Sequence, residues 1–362
     1  QRILCLNDHN RSLLSDFRNK NYKYLLPFLP VTGLFITWMY HKFNELSLKG
    51  MTLVFETRQQ KRDSIPLALV PLVMVGTWIT HLFGGSAGRE GVAVQIGATL
   101  SHAFGRKLKL PDNSKVMLVT GMAAGFGGLF QTPLTAVFFA IEVIVAGYMD
   151  YEAILPAMIG AFVASFTSHT LGLEKFEVNL NQTINMTDAK NGIAIIVLGI
   201  AFGIVGRLFS VLLQKSKKFM SEKIANPYMR IGIISIPLAI CLLFIFSGRY
   251  TGLGTNLISE ALGGNEVYYY DWILKLLFTI VTLAIGFQGG EVTPLFSIGA
   301  TLGVVLGSLL GISPIVCGAL GYAAVFGSAT NTLIAPIMIG IEVFGGTNML
   351  PFVIVCVIAY IE

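Results

Sequence analysis

Apolar runs recur along almost the whole chain of 362 residues, at about 24–40, 65–83, 91–104, 116–130, 132–148, 153–172, 192–214, 230–246, 272–287, 294–312, 314–327, 332–344 and 349–361. A helix needs about 20 apolar residues to cross a bilayer. Several of these runs are shorter, and many are broken by Gly or Pro. Irregular backbone at membrane depth is tolerated only where protein buries it or where it lines a cavity. The pattern therefore predicts an all-α polytopic membrane protein with broken helices, built like a transporter or channel rather than a simple anchor. Composition closes the alternatives. Only 12% of the residues are charged, against about 25% in soluble domains, too few to coat a soluble enzyme of this length. An outer-membrane barrel would alternate polar and apolar residues instead.

The charges that remain are grouped. Basic residues gather at 42–63 (Lys42, Lys49, Arg58, Lys61, Arg62), at 105–115 (Arg106, Lys107, Lys109, Lys115) and at 215–230 (Lys215, Lys217, Lys218, Lys223, Arg230). By the positive-inside rule these three stretches face the cytoplasm. Residues 149–152 carry only Asp150 and Glu152, and 173–190 is mixed. The expected organisation is a polar N-terminal segment (1–23), a first membrane repeat (24–172), an extracytoplasmic loop (173–191) and a second membrane repeat (192–362). The net charge of +5 is spread over short loops, which gives no reason to expect a nucleic-acid partner. The four cysteines form no CxxC and the five histidines no H-x3-H pair. No metal or other cofactor is expected.

The division into two halves rests on an internal repeat. Residues 121–143 (GMAAGFGGLFQTPLTAVFFAIEV) set on 321–343 (GYAAVFGSATNTLIAPIMIGIEV) match at nine of 23 positions without a gap. Upstream, GREGVAVQIGATL (88–100) resembles GGEVTPLFSIGATL (289–302) with a one-residue gap. The alignment brings Glu90 near Glu291 and sets Glu142 on Glu342. Duplicated halves of a transporter meet around a site near the midplane. Residue identities do not say whether the halves are parallel or inverted.

Charges within apolar runs cost a few kcal/mol each and mark function. Between Val116 and Gly147 the only one is Glu142, between Leu276 and Ile361 there are only Glu291 and Glu342, and Arg89 and Glu90 stand in the middle of a long apolar tract. Glu90 follows a glycine-rich turn, Gly84-Gly85-Ser86-Ala87-Gly88-Arg89, and opens an apolar helix. A helix start offers free N–H groups and about half a positive charge, which suits an anion. A carboxylate there competes with a free anion for the same donors, and a proton on the carboxylate removes the competition. Gly289-Gly290-Glu291-Val292-Thr293-Pro294 repeats the design, with a hydroxyl donor in Thr293. Gly50-Met51 begins a third short segment, where Met51 on its own reads as an apolar filler. Glu142 and Glu342 lie in paired Ile-Glu-Val motifs near helix ends and read as structural.

At these residues the chain resembles the CLC superfamily of anion channels and proton-coupled antiporters. GREGV (88–92) is similar to the family's G-[KR]-E-G-P motif, whose Glu is the gating glutamate, and GGEVTP (289–294) stands where chloride-type members have G-G-x-F-x-P. The likeness runs from Tyr24 to Glu362 and implies the family's inverted repeat of two halves. The departures resemble the bacterial fluoride/proton antiporter branch. Val92 replaces a Pro, Met51 takes the place of a pore serine, and Glu291-Val292-Thr293 replaces the segment bearing a pore phenylalanine. Val143 stands where chloride antiporters carry an internal proton glutamate. The pore tyrosine of the family is expected beyond residue 362, because Tyr360 lies too early.

The resemblance thus implies proton-coupled fluoride export across the bacterial inner membrane by a secondary active transporter. Its partners would be fluoride, protons and lipid, in a homodimer with one pore per subunit. Glu90 would gate and carry the proton, and Met51, Gly88, Arg89, Gly91, Val92, Val292 and Thr293 would surround the anion; Glu291, which has no counterpart in chloride-type members, reads either as a second proton relay replacing what Val143 cannot supply or as a cap on backbone amides. Chloride/proton exchange and a passive anion channel are the alternatives on the same scaffold.

Overall fold

The computed structural model describes residues 13–361 except 110–112, 146 and 181. Residues 1–12 of the polar N-terminal segment lie outside the described residues. The described chain is helical throughout: α1 (Leu13–Leu25), α2 (Leu29–Phe43), α3 (Met51–Arg58), α4 (Leu69–Leu82), α5 (Glu90–Lys107), α6 (Asn113–Phe130), α7 (Pro133–Glu142) and α8 (Ile154–Thr170). After a loop come α9 (Ala189–Lys223), α10 (Pro227–Phe244), α11 (Thr255–Leu262), α12 (Asp271–Ile285), α13 (Val292–Leu310), α14 (Pro314–Thr330), α15 (Ile334–Phe344) and α16 (Met349–Ile361). Among them, α8 with the short turn before it, α9, α10 and α13 are long and apolar enough to cross a bilayer. The apolar runs of the sequence become helices, and Gly and Pro mark most of the breaks. The run at 24–40 is divided by a 3-10 turn at Leu26–Phe28.

Each half is centred on one tightly packed pair, α5 on α6 and α13 on α14. Glycines make the approach possible. A Cβ on Gly97 or on Gly121 would run into the other's carbonyl, and Gly299 and Gly321 stand in the same relation in the second half. The buried side chains of both halves, among them Phe126, Phe139, Phe202, Phe296 and Phe326, form one continuous core.

The halves are inverted relative to each other. Glu142, the last residue of α7, accepts the N–H of Ile334 at 3.0 Å and of Ala335 at 3.1 Å, at the start of α15. Glu342, near the end of α15, accepts the N–H of Leu134 at 3.0 Å and of Thr135 at 2.8 Å, at the start of α7, and the Thr135 hydroxyl at 2.6 Å. Each helix end thus caps the other's beginning, so the two equivalent helices run antiparallel. These two carboxylates hold the repeats together, as their place at helix ends suggests. Asp150 is bound by Arg58, with Nε at 2.7 Å, which sets the 149–152 stretch beside the first basic one.

Candidate functional site

The two glycine-rich turns meet at the join of the halves. The Gly88 N–H donates to the Gly290 carbonyl at 2.6 Å, and the Gly290 N–H donates to the Gly88 carbonyl at 2.7 Å. Side chains would prevent this. A Cβ on Gly290 would lie 2.8 Å from the Gly91 nitrogen, and one on Gly88 would run into the Glu90 carboxylate. The starts of α5 and α13 are thereby fixed against each other.

Glu90 is the first residue of α5 and is only 2% exposed. Its carboxylate folds back toward the turn. Oε2 accepts the Arg89 N–H at 2.9 Å and the Thr293 N–H at 3.2 Å. Oε1 accepts the Thr293 hydroxyl. Thr293 is the second residue of α13, where the amides have no partner within the helix and the dipole is positive. A buried carboxylate is held there by one hydroxyl and two amides. A free anion needs the same donors.

Around this contact the sequence-predicted residues fall into two groups. Gly88, Arg89, Gly91, Val92, Val292 and Thr293 belong to the crossing of the two turns. Gly91 would touch the Gly290 Cα at 3.4 Å if it carried a Cβ, and Val92 and Val292 are both buried. Met51 and Glu291 do not join the Glu90 contact. Met51 opens α3 behind Gly50, where a Cβ would lie 3.4 Å from the Gln95 carboxamide, so this helix start approaches α5 further along from Glu90. Glu291 is the N-cap residue of α13, but its side chain makes no capping hydrogen bond. The charge that acts on it is Lys217, near the far end of α9.

Two residues near the site escape a reading of the sequence. Tyr322 on α14 stacks on Phe296 with ring centroids 4.0 Å apart and interacts electrostatically with Glu90. An aromatic side chain in an apolar run reads as core, so it gives no signal. Lys275, in the second turn of α12, has none of its surface exposed and also interacts with Glu90. It lies inside the apolar run 272–287 and belongs with the intramembrane charges, one position before the stretch in which Glu291 and Glu342 stand out.

Comparison with known proteins agrees with this geometry. The family described as "Voltage gated chloride channel" matches residues 32–361. The chain is 33% identical over 349 residues to a chloride/fluoride channel protein of Pseudomonas syringae pv. tomato, covering 94% of this chain and 77% of that one. Among solved structures, a CLC-type fluoride/proton antiporter superposes with a TM-score of 0.94 at 50% identity, over 96% of this chain and 88% of the other. A slow cyanobacterial Cl⁻/H⁺ antiporter shares the fold with a TM-score of 0.80 at 18% identity, over 96% and 87% of the two chains. The inverted halves, the crossed glycine turns and these likenesses agree: the chain belongs to the CLC family of voltage-gated chloride channels and their transporter relatives.

Proposed function

We propose that the protein is a secondary active transporter that exports fluoride in exchange for protons across the bacterial inner membrane. The observation that carries the reading is the Glu90 carboxylate seated on the amide and hydroxyl of Thr293. Ionised, Glu90 is itself the anion bound at the start of α13. Protonated, it loses the charge that makes those hydrogen bonds strong and leaves them to fluoride. Release of the proton on the other side returns the carboxylate and expels the anion. One side chain thus serves both ions in alternation.

Fluoride is small and hard and needs short, strong hydrogen bonds, which the Thr293 hydroxyl and the backbone N–H groups of both turns supply. Gly88, Arg89 and Gly91 contribute backbone, while Val92 and Val292 keep the crossing dry. Met51 donates no hydrogen bond and acts by narrowing the path at the start of α3. The likeness to a fluoride/proton antiporter at 50% identity favours fluoride over chloride. The working unit is a homodimer with one pore per subunit, surrounded by lipid. The apolar side chains exposed on α8, among them Phe162, Val163 and Phe166, need such a cover.

The test is paired flux from proteoliposomes, read by fluoride- and chloride-selective electrodes and by external pH. Fluoride efflux accompanied by proton uptake is expected, with little chloride movement. Equal chloride efflux would move the reading to chloride exchange. Fluoride efflux without proton movement would make the protein a passive channel.

A further inference from the structure

Gln95 carries a buried polar atom that no other part of the described chain serves. It lies on α5, five residues past Glu90 and about 7.5 Å further along the axis at 1.5 Å per residue. The residue is 6% exposed, and among the described residues nothing donates a hydrogen bond to its Oε1. Buried polar atoms are nearly always partnered, so an orphan acceptor asks for a donor from outside the protein. The carboxamide is aimed at the start of α3. A Cβ on Gly50 would lie 3.4 Å from Oε1, 3.5 Å from Nε2 and 3.7 Å from Cδ, so the whole polar end rests against that glycine.

The start of α3 has unserved groups of the opposite kind. Its N-cap is Gly50, at φ +50° and ψ −121°, which has no side chain to cap the helix. The first turn closes with the Leu53 N–H on the Gly50 carbonyl at 3.1 Å. The amides of Met51 and Thr52 come before it and have no acceptor within the helix. Neighbouring polar side chains are engaged with one another: the Ser47 hydroxyl donates to Asn44 at 3.0 Å, and Lys49 donates to Glu56 at 3.1 Å. Met51 packs against the core, with Leu53 and Val54 buried beyond it. Gly50 and Met51 are partly exposed, and Gln95 is buried behind them. Free donors and one free acceptor therefore face the same spot. A bare anion would satisfy the amides but be repelled by the carboxamide oxygen. An anion that keeps one water satisfies both.

We infer that Gln95 is a positioning residue that sets specificity by holding the last hydration water of a fluoride ion seated at the start of α3. The inference rests on the fluoride export proposed above and adds a step before the ion reaches Glu90. The water gives one proton to Oε1 and the other to fluoride, while the Met51 and Thr52 amides donate to the ion from its other side. Fluoride holds its water more tightly than chloride does. A seat that lets one water stay spares fluoride its final dehydration until protonated Glu90 leaves the donors of Thr293. Chloride, which gives up water easily, gains little from the same seat. Gln95 acts through that water and not on the ion itself.

Gln95→Met keeps an unbranched side chain of similar length and removes both polar atoms. In proteoliposomes its fluoride KM should rise about tenfold, as for one lost water-mediated hydrogen bond. The kcat and the number of protons exchanged per fluoride should stay near the parent's. Chloride, added as a competitor, should inhibit parent and variant at similar concentrations, so the preference for fluoride narrows. A purely structural Gln95 predicts a different pattern. Replacing an unserved buried acceptor with an apolar group is neutral or stabilising, so the melting temperature would hold or rise with KM unchanged. Should Gln95→Met fail to fold, Gln95→Glu provides the second arm. It keeps the size of the side chain and sets a negative charge against the start of α3, which should raise the fluoride KM by repelling an ion seated there. A folded Gln95→Met with the parent's KM and chloride preference overturns the inference, as does a folded Gln95→Glu with the parent's KM. Absence of coupled flux in the parent protein would instead overturn the proposed function.

Discussion

The Glu90–Thr293 contact makes two separable demands, one on charge and one on donors. Glu90→Gln retains the size of the side chain but cannot load and unload a proton. Coupled proton uptake should be abolished, whether or not fluoride still leaks, and a variant that still moved protons against fluoride at the parent's rate would refute the assignment. Thr293→Val removes one donor and nearly preserves shape. Leaving a buried anion short of one hydrogen bond costs about 1–3 kcal/mol, or about 5- to 150-fold in affinity. Fluoride titration calorimetry should register that loss in a protein of unchanged melting temperature. These residues were legible because a carboxylate and a run of glycines are conspicuous in an apolar stretch. Lys275 was not. It sits close behind Tyr268-Tyr269-Tyr270-Asp271, where a lysine reads as belonging to a helix end, and only the fold reveals that its environment is closed.

Among the helices, the long α5 and α13 carry the site at their starts, and the short ones were the hardest to read. Helix α11 has eight residues and coincides with none of the apolar runs, because only one face of it is buried. Helix α3 was recognisable only from the Gly50-Met51 start. By contrast, α7 and α15 announced themselves through the repeat, and their reciprocal caps show why each keeps a glutamate near its end. Glu142→Ala would leave the amides of Ile334 and Ala335 without their acceptor. At about 1–3 kcal/mol for each buried donor left unpaired, the melting temperature in detergent should drop clearly. Protein that remains folded should still exchange fluoride for protons, since Glu142 touches neither glycine turn. Unchanged stability would disprove the capping role. Lost coupling at full stability would assign Glu142 to proton movement instead.

Across the whole molecule, a proton that reaches Glu90 must still travel to the opposite face. Identity between the halves revealed the duplication but not its inversion, because a residue match carries no direction; the antiparallel caps supply it. Inversion turns equivalent residues toward opposite sides, and the two turn carboxylates behave accordingly. Glu90 bonds to the start of α13, whereas Glu291, the residue after Gly290, is influenced by Lys217. The 35 residues of α9 extend about 52 Å at 1.5 Å per residue, longer than a hydrocarbon core of about 30 Å. Its basic end is therefore expected to project from the membrane, on the cytoplasmic side by the positive-inside rule. We propose that Glu291, on which Lys217 of that helix acts, passes protons between Glu90 and the cytoplasm in place of a glutamate at Val143. The competing idea, that Glu291 merely caps α13, has no capping hydrogen bond to support it. Glu291→Gln should therefore stop coupled transport while leaving fluoride binding, measured by calorimetry, and the oligomer, measured by light scattering, as in the parent. Wild-type coupling in that variant would retire the relay and leave Glu90 to exchange its proton directly with water.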